Sequence, residues 1–375
     1  MKGKKEMMKK MCLFITAFLV FQTVLYASDP QQSSLDNKIQ LFMKDKPVKA
    51  LVYGLWINGK PMSIQAIGDS MTAVPATKDM HFRIGGVTET LLTTTLMRLV
   101  EKKELSLDDK VARWYPNLPN ADQVNLKMLA NGTSGFPDYV YHQDFIKQVL
   151  DKPFKQWSDK ELIHYAFLTD PLFKPGTSQH YSHTDYVILG SILAQVTTRQ
   201  LNQLFHSLIL NKLNMKNTQF ERTATIPSPV LHSFSQDRGV YEDATFWDPS
   251  WTASSGSMTS TIEDLGTWAN AWMNGSLLTS ESSLELRAPE TVGKGKNTSE
   301  LYFAMGFAVA NHWLIQNPRF GGYSGVFAVL PEKQIVFIAF NTLKPTSKEA
   351  DNLSVALWKE VAHDLAPEYP IPNFN

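Results

Sequence analysis

Three places in the chain hold residues able to do chemistry. The first is His81-Phe82-Arg83-Ile84-Gly85-Gly86-Val87-Thr88-Glu89-Thr90-Leu91-Leu92, which reads as a short extended entry, a glycine turn and a helix running through Leu96, Leu99 and Val100. Residues three apart share one helix face, so Gly86 and Glu89 look onto the same space. The second is Tyr181-Ser182-His183, which adds a phenol and an imidazole. The third is Gln316-Asn317-Pro318, with Gly322 shortly after. A buried Glu89 beside Tyr181 would be a general base for water. The simpler reading is helix chemistry. A carboxylate in the first turn favours the macrodipole, glycine is an acceptable cap, and a glutamate at the third position reaches back toward it. A new base also needs a raised pKa and a supporting shell. No lysine has a serine three residues before it, so a serine activated by a lysine one turn away is absent. His180, His183 and Asp185 have a spacing that could hold a metal, but no further ligand is indicated. His183 reads more simply as a hydrogen-bonded residue in a cleft wall. No cofactor is implied.

The elements that must position these residues follow from periodicity. Ser34 to Asp45 carries an apolar stripe of Leu35, Ile39, Leu41 and Phe42 and predicts an amphipathic helix. Val48 to Ile57 is strand-like, Asn58-Gly59 is a two-residue hairpin turn, and Pro61 to Gly68 is the returning strand. Between Asn125 and Asn274 the chain reads mostly as helices, clearest at 127–130, 157–168, 184–198, 201–210 and 260–273, the last with Thr261 to Asp264 as a cap. From Leu301 the pattern returns to strands at 302–310, 325–330 and 334–340, rich in Val, Ile and Phe. Leu353 to Leu365 closes the chain as an amphipathic helix. Strands at both ends therefore enclose a mainly helical insert.

Composition sets the remaining bounds. The chain has 375 residues, 43% of them hydrophobic, with 36 basic and 36 acidic residues, which suits a globular protein with a substantial core. No basic run lies beyond the first ten residues, so nothing points to nucleic acid. Lys2, Lys4, Lys5, Lys9 and Lys10 precede an uncharged stretch from Met11 to Ala27, which predicts an export signal over residues 1–27 and a periplasmic or secreted product. An uncleaved signal would be the only membrane contact. Removing that segment takes five lysines and one glutamate, leaving the remainder slightly acidic. It also takes Cys12, the single cysteine, so disulfides and thiol catalysis are excluded from the rest.

Four motifs in order resemble the serine β-lactamase and penicillin-binding protein superfamily, in the branch of class C β-lactamases, D-alanyl-D-alanine carboxypeptidases and esterases. They are Phe82 to Glu89, similar to Phe-Arg-Ile-Gly-Ser-x-Thr-Lys; Leu129 to Tyr139, similar to the Thr-Ser-Gly loop; Phe173 to Gly190, with Pro175-Gly176, Tyr181-Ser182-His183 and Leu189-Gly190; and Ser255-Gly256-Ser257-Met258 with Ser260 to Leu265. The likeness spans about residues 35–365. It implies a mixed α+β and α/β fold, with a central antiparallel sheet flanked by helices and a mainly helical part. The sheet part would take residues of about 35–105 and 291–375, and the helical part about 106–290, within one domain over 28–375.

The resemblance also implies a reaction and shows its parts missing. In the family a serine forms an acyl ester, a lysine one turn later takes its proton, the tyrosine of Tyr-x-Asn completes the proton path, and an edge-strand His-x-Gly binds the substrate carboxylate. Here the serine position is Gly86, the lysine position is Glu89, His183 replaces the asparagine, and Gln316 and Pro318 replace the histidine and glycine. Proline also lacks the N–H that a central ladder needs. A rival alignment sets Phe320-Gly321-Gly322 on the same segment, again without histidine. The resemblance implies a cleft formed by Tyr181, His183, Gln316, Asn317 and Gly322, and no intact catalytic set. Taken with the export signal, it leads us to expect an exported, catalytically inactive homologue whose cleft binds a peptidoglycan peptide or another acyl or peptide ligand. The alternative is a hydrolase using Glu89 and Tyr181.

Overall fold

A computed structural model describes residues 30–347 and 352–372. The predicted export signal at 1–27 lies outside the described residues. Among the described residues no helix is long and apolar enough to cross a membrane.

The main sheet joins the two ends of the chain. Its strands run in the order Val74–Pro75, Lys60–Met71, Val48–Ile57, Ile335–Leu343, Tyr323–Leu330, Trp313–Gln316, Ala308–Ala310 and Leu301–Phe303, with Arg319–Phe320 paired to the near end of Tyr323–Leu330. These pairings are antiparallel. Side chains of a strand alternate between faces, and both faces here are apolar. From Val48–Ile57, Ala50, Val52 and Trp56 enter one core, while Leu51, Tyr53 and Leu55 enter another. The second core is closed by the terminal helices, Pro30–Asp45 and Leu353–Leu365. The first is closed by the helices Val87–Glu101 and Ile262–Met273 and by the helical region beyond them.

The structure departs from the sequence reading at several boundaries. The predicted strand 302–310 is two strands, Leu301–Phe303 and Ala308–Ala310, because the chain turns back through Gly306 at φ +86°. That hairpin supplies the sheet edge. Trp313–Gln316, expected at the edge, therefore lies inside the sheet between Ala308–Ala310 and Tyr323–Leu330. Pro318 does not break a ladder, since the strand ends at Gln316 and pairing resumes at Arg319. The helix predicted over 157–168 is confined to Asp159–Ala166, and that over 201–210 changes to a wider π-turn at His206.

Close packing of the Ile262–Met273 helix on the sheet rests on Trp56, which is 5% exposed. A methyl group at Gly54 would stand 2.2 Å from the Trp56 ring, and one at Gly266 would stand 2.1 Å from it. The indole thus lies in a slot between two glycines, one on the strand and one on the helix. Gly266→Ala adds helix propensity but forces the helix off the sheet. Overpacking of this kind costs roughly 1–3 kcal/mol. We expect a loss of that size in chemical denaturation. A neutral or stabilising outcome would contradict the slot.

Candidate active-site cleft

The helix Val87–Glu101 is the fixed side of the site. Its entry is the strand Phe82–Arg83, paired to Met258–Ser260. Ile84 N–H then donates to the Met258 carbonyl at 3.0 Å. Gly85 turns the chain at φ +49°, and a methyl there would stand 2.7 Å from Pro318 Cβ. The helix is buried along most of its length. Leu91, Leu92 and Leu96 sit in the core, and Thr90 accepts from Trp268 Nε1 at 2.9 Å. Its first turn therefore presents Gly86 and Glu89 in one fixed direction.

Glu89 does not cap its own helix, as the sequence led us to expect. Gly86 occupies the cap position with helical angles (φ −58°, ψ −13°) and makes no side-chain cap bond. The Glu89 carboxylate turns instead across the cleft floor and is wholly buried. The Tyr181 hydroxyl donates a short hydrogen bond to Oε1. Gln316 Nε2 donates to Oε2 at 3.1 Å and to the Gly306 carbonyl at 2.6 Å. The other end of that amide faces the helix, and a methyl at Gly86 would stand 2.5 Å from Gln316 Oε1. Gln316 thus fills the space where a side chain at 86 would begin.

The opposite wall is the start of the helix His183–Thr197. Thr184 Oγ1 and Ser182 Oγ donate to the Pro137 carbonyl at 2.7 and 3.3 Å, which pins the 133–139 loop to this helix. The pinning sets Asp138 against His183, with Oδ2 2.8 Å from Nδ1. Asp138 Oδ1 accepts from Val140 N–H at 3.1 Å. The imidazole also meets the Tyr181 ring edge to face at 4.9 Å. His180, His183 and Asp185 turn to different partners: Nδ1 of His180 lies 2.8 Å from the Tyr181 carbonyl, and Asp185 accepts from Ser134 at 2.6 Å. Among the described residues no group of three or more metal-ligating side chains comes together.

These elements enclose a cavity of about 430 Å³ lined by Gly86, Tyr181, His183, Gln316 and Asn317, with Trp251, Phe303, Phe320 and Arg319 completing the walls. Gly322 is not part of it. It lies at φ +81° against the Phe234 backbone and borders a neighbouring cavity. Glu89 does not line the cleft either. It sits behind Gly86, Tyr181 and Gln316, with both oxygens engaged. Sequence reasoning missed Asp138, although it stands inside the Leu129 to Tyr139 motif, and it missed the aromatic wall, for which no local signal exists.

Burial pushes the Glu89 carboxyl well above the usual carboxylate range, with the bonds from Tyr181 and Gln316 pulling the other way. Burial and the neighbouring Glu89 charge push the Tyr181 phenol well up as well. Between the ordinary carboxylate range and the raised value, folded Glu89 keeps a proton that the unfolded chain has lost, so stability falls as pH rises through that window. Glu89→Gln removes the titration. The Gln variant should gain on the wild type in melting temperature as pH rises above the ordinary carboxylate range and lose that advantage below it. A difference independent of pH would show that burial does not dominate.

Comparison with known proteins agrees with this architecture. A family model described as Beta-lactamase matches residues 35–358. The chain is 23% identical over 209 residues to a beta-lactamase of Psychrobacter immobilis, covering 55% of this chain and 50% of that protein. It is 26% identical over 225 residues to protein flp of Staphylococcus aureus strain MW2, covering 57% and 42%. The chain thus spans about half the length of these relatives. Among solved structures, the D-amino acid amidase of Ochrobactrum anthropi SV3 superposes with a TM-score of 0.75 at 23% identity, covering 88% of this chain and 97% of that one. The penicillin-binding protein of Bacillus halodurans gives 0.71 at 18%, covering 86% and 98%. These structures share the fold.

Proposed function

This chain belongs to the beta-lactamase family, and from that premise we propose that it has lost the acyl-serine reaction and kept the cleft as a binding site for a peptidoglycan-derived peptide or another acyl ligand. One observation carries the reading: Gln316 Oε1 lies 2.5 Å from where a side chain at position 86 would start. A nucleophile is therefore missing, and a side chain at 86 would have to displace the Gln316 amide from its bonds to Glu89 and the Gly306 carbonyl. The same amide holds Glu89. Restoring serine and lysine alone would strand a buried ammonium beside the Gln316 amide and the Tyr181 ring, a costly arrangement.

Several features support retained binding. The cleft keeps a cavity of about 430 Å³ with aromatic walls and a few polar groups, the usual make-up of a small-molecule site. The amidase that shares the fold was solved with L-phenylalanine, an amino acid of suitable size. The lysine-rich start followed by an apolar stretch supports export, which would bring the protein to cell-wall peptides.

The reading is tested with a fluorescent penicillin and intact-mass measurement. The wild type should show no adduct, and neither should Gly86→Ser with Glu89→Lys. Adduct formation should require Gln316→His as well. A peptide ending in D-alanyl-D-alanine should raise the melting temperature of the wild type. An acylated wild type, or no thermal shift with any acyl peptide, would overturn the reading.

A further inference from the structure

The cleft carries a second chemical device that the family reaction does not use. His183 lines the cavity, and its Nδ1 faces the Asp138 carboxylate at 2.8 Å. The Asp138 side chain is 0% exposed, whereas that of His183 is 26% exposed. Asp138 is held in turn by Val140 N–H and by the pinning of its loop through Pro137. A buried carboxylate beside Nδ1 fixes the tautomer with the proton on Nδ1. That leaves Nε2 as the lone-pair nitrogen. Nε2 has no hydrogen-bond partner among the described residues, and it belongs to the half of the ring not turned to Asp138. The ring itself is steadied by its edge-to-face contact with Tyr181.

We propose that His183, oriented by Asp138, is a general base that activates water for direct hydrolysis of an ester bound in this cleft, with no covalent enzyme intermediate. The proposal rests on the reading that the cleft accepts acyl ligands. A water molecule between Nε2 and the ester carbonyl gives one proton to Nε2 as its oxygen forms the new bond to the carbonyl carbon. The carbonyl π pair moves to oxygen. On collapse that pair returns, the bond to the leaving oxygen breaks, and the proton on Nε2 passes to that oxygen. An acid and an alcohol leave, and the imidazole is neutral again. Glu89 is not the base, because it does not line the cavity and both its oxygens are engaged. The titratable groups in contact with His183 are Asp138 and Tyr181, with Glu89 behind Tyr181, the Tyr139 ring 6.1 Å away and Arg319 lining the same cavity.

The test is hydrolysis of p-nitrophenyl acetate by the whole protein in water enriched in oxygen-18. The wild type should exceed the buffer blank without a burst, give acetate carrying one labelled oxygen, and show no mass adduct. His183→Asn restores the residue usual at this place in the family, and so keeps the fold. It and His183→Ala should each lower the rate by about 100-fold, the usual reach of general base catalysis. Asp138 acts through His183, so Asp138→Asn should cost a similar factor while nitrogen-15 spectra of the His183 ring move from the Nδ1–H to the Nε2–H tautomer. A wild-type rate equal to the blank, a rate that survives His183→Ala, or an acyl adduct would overturn the proposal. A thermal shift with D-alanyl-D-alanine peptide measured in parallel separates the outcomes. Binding without hydrolysis sinks this proposal alone, whereas neither binding nor hydrolysis sinks the binding reading with it.

Discussion

The site depends on one buried contact set, the carboxyl group of Glu89 held between the Tyr181 hydroxyl and the Gln316 amide. A buried carboxyl group is costly unless hydrogen-bonded, and both oxygens of this one are engaged. The arrangement ties together three distant parts of the chain: the first turn of the Val87–Glu101 helix, the loop before the His183–Thr197 helix, and the end of the Trp313–Gln316 strand. It also explains Gly86. With Gln316 drawn toward Glu89 and the Gly306 carbonyl, its oxygen stands over the helix start, so a Cβ at 86 would have to push that amide aside. The departures from the family pattern at 86, 89 and 316 are thus one substitution in physical terms. Each makes the others tolerable.

The surrounding scaffold keeps this set rigid. The helix that carries Glu89 runs through the larger core, and the strand that carries Gln316 is flanked on both sides by other strands. The opposite wall is pinned by hydroxyl bonds to Pro137. A cleft remains between these fixed elements because only its floor is filled. The walls keep aromatic rings, and His183 stands among them against a buried aspartate.

Much of the fold was legible in the sequence, because its signals are local. Period-2 alternation and Asn58-Gly59 placed the first hairpin, and the closing helix appears over the residues its apolar stripe marked. The fate of 302–310 was not legible, since a continuous apolar run with one internal glycine does not announce that the chain turns back at Gly306 and makes two edge strands of it. At the site, the sequence identified Gly86, Glu89, Tyr181, His183, Gln316 and Asn317, which the structure brings together around the cleft and its floor. It did not foresee that Glu89 would turn away from its cap and toward Gln316, 227 residues distant, because only the tertiary fold brings those two side chains into register. Gly322 was misplaced for a similar reason. Its motif neighbour Phe320 reaches the cleft, while Gly322 serves a tight approach to the Phe234 backbone.

A double-mutant cycle on Gly86 and Gln316 tests the account most directly. Position 86 has ordinary helical angles, so alanine there is strained by nothing except the Gln316 amide. Gly86→Ala should cost about 1–3 kcal/mol in the wild-type background, as overpacking does. In a Gln316→Ala background its cost should fall to within about 0.5 kcal/mol of zero. Additive effects, with the same cost in both backgrounds, would contradict the claim that the Gln316 amide occupies the space where a side chain at 86 would begin.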